Sequence, residues 1–162
     1  MQIRQVPYDH PDAVKLDAEV QLEYAARYDS EGDETVLHPR MFDPPGGMYY
    51  LAYDAYDADE RPVASGGWRS QETNDEGYSD GDAEIKRMYV TVEARGLGLA
   101  RRILARLEES ARAAGRSRMV LETGTKQPEA IALYRSSGYT DCPKFGHYRY
   151  DPLSVCLAKP LA

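Results

Sequence analysis

The sequence predicts one mixed α/β (α+β) domain, and three observations carry that prediction. Runs with a period of two alternate along the chain with runs of helical spacing, so strands and helices follow one another. No internal repeat, low-complexity tract or long linker divides the chain. With 162 residues and 42% apolar composition, it is long enough to bury one sizeable core without disulfides or metals.

Taken in order, Gln2 to Pro7 reads as a short first strand. Asp12 to Arg27 reads as a helix whose apolar positions are Val14, Leu16, Val20, Leu22 and Tyr24. Ser30 to Pro45, with Gly32, Pro39, Pro44 and Pro45, is expected to be irregular or broken helix. Met48 to Tyr53 and Pro62 to Trp68 are β-rich runs around the polar turn Asp54 to Arg61, which predicts an antiparallel hairpin. After an acidic loop from Gln71 to Asp82, the segment Ala83 to Val92 sets Ile85, Arg87 and Tyr89 against Lys86, Met88 and Val90 as a strand. From Gly98 to Ala114, Leu99, Ile103, Leu107 and Ala111 fall on one helical face, with Gly115 as a natural stop. Arg118 to Glu122 predicts a strand, Pro128 to Ser136 a helix ending at Gly138, and Leu153 to Ala158 a last strand.

Composition narrows the function. A net charge of −7 argues against binding nucleic acid, which needs a basic surface to displace counterions. The charge is uneven: acidic residues predominate from Asp54 to Glu84, whereas Arg95, Arg101, Arg102, Arg106, Arg112, Arg116 and Arg118 crowd a later segment suited to a compact anion. Cys142, Cys156 and the three histidines have no metal-ligand spacing, so no metal is expected and both thiols are read as reduced. No apolar run is long enough to span a membrane, and the first ten residues have no signal-peptide pattern, so the expected location is cytoplasmic.

The strongest local signal is Arg95-Gly96-Leu97-Gly98-Leu99-Ala100, between a strand and an amphipathic helix. Such a turn presents unpaired backbone N–H groups at a positive helix terminus, and its glycines let a phosphate approach the main chain. The bland alternative is a tight strand-to-helix turn. A P-loop is excluded because G-x-x-x-x-G-K-[ST] does not occur. In the dinucleotide fingerprint the third small position falls on Arg101, although Glu122 follows the next strand as a ribose-binding acid would.

These residues resemble the GNAT superfamily of N-acetyltransferases, whose loop Q/R-x-x-G-x-G/A reads here Arg95-x-x-Gly98-x-Ala100. The resemblance continues in the strand Glu84 to Val90 and in Pro128 to Tyr134 followed by Gly138-Tyr139, similar to the family's second block. Gln127 stands where the family most often has Asn. The resemblance implies a twisted mixed sheet whose strands Ala83–Val92 and Arg118–Glu122 splay apart, with acetyl-CoA as co-substrate. The N–H groups of Gly96, Leu97, Gly98, Leu99, Ala100 and Arg101 would hold the pyrophosphate beside Arg95, with Arg102 near. Met88, Tyr89 and Val90 would meet the pantetheine, and Gln127 would contact the cofactor.

The same resemblance makes Tyr134 the general acid and Glu84 the general base, with Glu122 as rival, in a direct attack by a primary amine. Tyr24, Tyr28, Phe42, Tyr49 and Trp68, with the acids from Asp75 to Asp82, would suit a cationic acceptor. A small-molecule amine, a peptide amine and a non-catalytic acetyl-CoA sensor all stay open, as does a homodimer. The tail Phe145 to Asp151 would cover the cofactor thiol or a partner subunit.

Overall fold

A computed structural model describes residues 1–54 and 59–162, so the tip of the hairpin turn expected at Asp54 to Arg61 lies outside the described residues. Among the described residues, seven strands form one sheet: β1 (Gln2–Gln5), β2 (Gly47–Tyr53), β3 (Pro62–Gln71), β4 (Asp82–Val90), β5 (Arg118–Gly124), β6 (Thr140–Asp141) and β7 (Ser154–Pro160). Their order is β1-β2-β3-β4-β5-β7-β6, with β4 and β5 parallel and the other neighbours antiparallel. Helices α1 (Pro11–Tyr28), α2 (Leu99–Ala113) and α3 (Pro128–Ser136) flank it.

The sheet's alternation sorts its residues onto two cores. On β2, Tyr50 and Ala52 join Leu99, Ile103, Leu104, Leu107 and Ala111 of α2, whereas Tyr49, Leu51 and Tyr53 join Ala13 and Leu16 of α1. Each buried leucine or isoleucine of α2 contributes about 1.5–3 kcal/mol relative to exposure. The indole of Trp68 donates to Ser110 Oγ at 2.8 Å, which fixes α2 across β3. Pro11 at the first turn and the His10 imidazole, which accepts the Asp12 N–H at 3.0 Å, start α1.

Two irregularities build the site. The ladder between β4 and β5 stops after Glu84↔Val120, yet β4 runs on to Val90 and β5 to Gly124, so the strands part. On its other edge, β4 pairs Lys86 with Gly67 and Tyr89 with Ser65, so Arg87 and Met88 together oppose Gly66. This is a bulge, and Arg87 adopts φ 60° within it. A side chain at position 66 would force a shift, because a Cβ would stand 2.5 Å from Met88 Sδ and 2.9 Å from Ile103 Cγ2.

The bulge corrects the predicted alternation. Ile85 keeps company with Met88 and Val90 in the α2 core, while Arg87 and Tyr89 turn toward α1. One extra residue flips every side chain after it. The other differences are in extent: β1 stops at Gln5, β3 reaches Gln71, and the segment after Val90 closes into a short 3-10 turn over Val92–Ala94. The expected irregular stretch from Ser30 to Pro45 holds one 3-10 turn, Pro39–Phe42. β6, only two residues long, has no readable period.

Candidate active site

The parted strands enclose a cavity of about 320 Å³. Its lining combines apolar residues, Ile85, Met88, Leu121 and Ala130 among them, with polar and charged ones. A second groove runs from it along residues 95–101, and Met88, Gln127, Ala130 and Tyr134 belong to both. The two spaces therefore adjoin, and these four residues form the waist between them.

The turn into α2 lies along the groove. Gly96 and Gly98 have φ 84° and 78°, a conformation that favours glycine, and a Cβ on either would meet nothing within 4 Å. Among the described residues, the N–H groups of residues 96–101 have no protein acceptor, and the first helical bond is Arg102 N–H to Gly98 O at 3.2 Å. Six free donors at a helix N-terminus form an anion cradle. Arg95 is folded back, donating to Val90 O at 3.1 Å and to Glu23 Oε1 at 2.9 Å. Arg101 donates to Ser136 Oγ on α3 at 2.6 Å, while Arg102 turns away to Met1 O. Met88, Tyr89 and Val90 line the groove on the stretch of β4 past its last pair with β5.

Tyr134, on α3, stands at the waist and is 6% exposed. Among the described residues its hydroxyl has no hydrogen-bond partner, and burial pushes its pKa up, so it holds its proton at neutral pH. Gln127, at the start of α3, donates to the Tyr28 hydroxyl at 3.2 Å.

Glu84, expected as the base, does not line the cleft. It sits at the last paired position of β4, 2% exposed. Its Oε1 accepts from Arg69 Nε at 2.7 Å and Gln71 Nε2 at 3.2 Å, and its Oε2 from the Tyr78 hydroxyl at 2.8 Å. Three donors thus enclose this carboxylate on the zipped part of the sheet, away from the cleft lining. Glu122, two residues beyond the last pair on β5, lines the cavity instead. Ser154 Oγ donates to its Oε2 at 2.9 Å, and burial pushes the carboxyl up to about 7.

Of the expected acceptor aromatics, Tyr24 and Tyr28 line the cavity, whereas Phe42, Tyr49 and Trp68 are core. The acidic loop before β4 is spent elsewhere, as Asp82 is fully buried against Arg118 at 2.6 Å. In its place stand Asp33, Glu34, Tyr148 and Asp151; of these Asp33 and Glu34 had no sequence signal of their own, and neither did the lining residue Ser154. Burial alone would raise the Asp33 carboxyl, but Lys86, at 2.9 Å, and Arg87 outweigh it and hold it well below the usual range. The Glu34 N–H donates to the Tyr148 hydroxyl at 2.6 Å and joins two walls of the cavity. Phe145 packs on Tyr78 in the core. Among the described residues, no helix is long and apolar enough to cross a membrane.

The model of the "Acetyltransferase (GNAT) family" matches residues 14–139, which include the cradle, the splay and Tyr134. The chain belongs to the GNAT acetyltransferase family. This GNAT chain is 52% identical over 81 residues to an IAA acetyltransferase of Azospirillum brasilense, a match that covers 50% of this chain and 53% of that protein. The chain thus spans about half the length of that relative. It is 31% identical over 137 residues to the uncharacterized N-acetyltransferase YjgM of Escherichia coli (strain K12), covering 81% and 76% of the two chains. A Klebsiella pneumoniae structure described as an acyl-CoA N-acyltransferase superposes with a TM-score of 0.74 at 28% identity, over 99% of this chain and 97% of that one.

Proposed function

We propose that this GNAT domain transfers the acetyl group of acetyl-CoA to a primary amine of a small molecule, both bound at once. The observation that carries the reading is the unpartnered Tyr134 hydroxyl at the waist between cradle and cavity. One space suits a phosphate-bearing donor, the other suits an acceptor, and a proton-bearing group stands between them.

The residues fit such a co-substrate. The six free N–H groups of residues 96–101 would hold a pyrophosphate, with Arg101 beside them, and the open edge of β4 from Met88 to Val90 would pair with an extended amide arm. Bound acetyl-CoA supplies the acetyl group as an activated thioester. A main-chain N–H near Tyr89 or Val90 would polarise the carbonyl as charge develops on its oxygen. As the carbon–nitrogen bond forms and the carbon–sulfur bond breaks, the Tyr134 hydroxyl gives its proton to the departing sulfur.

Two features favour a small acceptor. The Glu34 to Tyr148 hydrogen bond ties one wall to the other, where a peptide would need an open groove. Carboxylates of Asp33, Glu34, Glu122 and Asp151 outnumber Lys86 and Arg87 around the cavity, which suits a cationic amine.

The test is thiol release from acetyl-CoA over diamines, amino sugars, amino acids and short peptides, with a protein-only blank for Cys142 and Cys156. Turnover is expected with a small amine, and Tyr134→Phe is expected to lower kcat about 10²-fold or more with the acetyl-CoA Kd unchanged. Faster turnover of peptides than of every small amine would overturn the small-molecule reading. Tight acetyl-CoA binding without thiol release on any acceptor would make the domain a sensor.

A further inference from the structure

We infer that Glu122 takes the proton from the acceptor amine and that Ser154 is the residue positioning its carboxylate for that transfer. The inference rests on the acetyl-transfer reading above.

Among the described residues four carboxylates line the cavity, and their partners separate them. Asp33 is committed: Oδ2 faces Lys86 and Arg87, and Oδ1 accepts the Thr35 N–H at 2.9 Å. Asp151 is exposed, with Oδ1 closing its own turn on the Leu153 N–H at 2.8 Å. Glu34 is exposed on the rim. Glu122 differs from all three. It is half-buried, its Oε2 is held by Ser154, and among the described residues its Oε1 has no hydrogen-bond donor.

The contact with Ser154 follows from register. β5 and β7 pair Glu122 with Cys156 and Gly124 with Ser154, so the serine is the diagonal neighbour of the glutamate on the same face of the sheet. Ser154 is 7% exposed, which fixes its hydroxyl, and the Cys156 thiol lies 3.9 Å from the same Oε2. One oxygen is thus anchored and the other is free to accept.

In the transfer, an N–H bond of the acceptor breaks, an O–H bond forms on Glu122, and the electron pair left on nitrogen is the one that attacks. The proton then passes to water. The charged and titratable groups facing Glu122 are Lys86 and Glu84 on β4, Asp33 after α1, and Cys156 on β7, with Tyr148 and Asp151 around the same cavity. Lys86 is already paired with Asp33 at 2.9 Å. Burial therefore dominates, and the Ser154 hydroxyl counters it first, ahead of the charge of Lys86.

The experiment is a ¹³C-glutamate NMR titration of the full chain, together with the pH profile of kcat/KM on the best small amine, for wild type, Ser154→Ala, Ser154→Thr and Glu122→Gln. Glu122 should titrate near pH 7, with the acid limb of kcat/KM at the same place. Ser154→Ala should move both upward by about one unit, with activity recovering at high pH, and Ser154→Thr should restore the wild-type values. Glu122→Gln should lower kcat/KM about 10²-fold and remove the limb while the acetyl-CoA Kd stays unchanged. A Glu122 titration in the ordinary carboxylate range, or one indifferent to Ser154→Ala, would overturn the positioning role. A Glu122→Gln profile like the wild type would overturn the base. The titration needs no acceptor, so a failure of the acetyl-transfer reading appears separately, as absent thiol release.

Discussion

The seam between β4 and β5 has a zipped end and an open end, and each holds one glutamate. At the zipped end Glu84 is enclosed by Arg69, Gln71 and Tyr78, with every oxygen engaged. At the open end Glu122 keeps one oxygen for the cavity and has a serine as its hydrogen-bond partner. Their side chains are chemically the same and their strands adjacent. What differs is the supply of donors: a buried carboxylate matched to a guanidinium becomes a strut, and one left short of donors is driven toward neutrality and becomes reactive near pH 7.

The difference is open to attack by mutation. The largest effect is expected from Glu84→Ala, which leaves the 8% exposed Arg69 guanidinium without its counter-charge. A loss of about 3–5 kcal/mol should follow, lowering Tm by roughly 10 °C in thermal denaturation. An unchanged Tm with abolished turnover would reverse the roles assigned to the two glutamates.

A smaller effect of opposite sign is expected from Glu122→Gln. The folded-state pKa of about 7 lies above the ordinary 4.5, so the native state binds this proton more tightly than the unfolded chain. The stability this lends is complete below about pH 4.5 and is lost as pH rises through 7. Removing the ionisable group should therefore raise stability at pH 8 by about 1–2 kcal/mol, after allowance for partial exposure, and by much less at pH 5. Paired melting curves at the two pH values would show it, and equal shifts at both would mean that Glu122 is not strained by burial.

The cradle half of the candidate site was legible in the sequence because its determinants are local. A strand, two glycines needing positive φ and an amphipathic helix lie within some thirty residues, and the cradle from Gly96 to Arg101 sits where that pattern puts it. The acceptor half depends on long-range facts. Where β4 and β5 part is set by pairing between segments more than thirty residues apart, so the strands can be read and the fate of Glu84 cannot. The bulge at Arg87 places a non-glycine residue at φ 60°, held by Asp17 and Asp33 from the α1 side, and alternation alone points the other way. Asp33 itself lies in an aperiodic stretch and acquires meaning only through Lys86 and Arg87.

The most direct test of the contrast is kcat/KM for a small amine measured side by side for Glu84→Gln and Glu122→Gln across pH 6 to 9, well below both melting temperatures. The account predicts that Glu84→Gln stays within about threefold of wild type and keeps the acid limb near pH 7, whereas Glu122→Gln falls about 10²-fold and loses it. The converse, a silent Glu122→Gln beside a Glu84→Gln that folds normally and does not turn over, would contradict it.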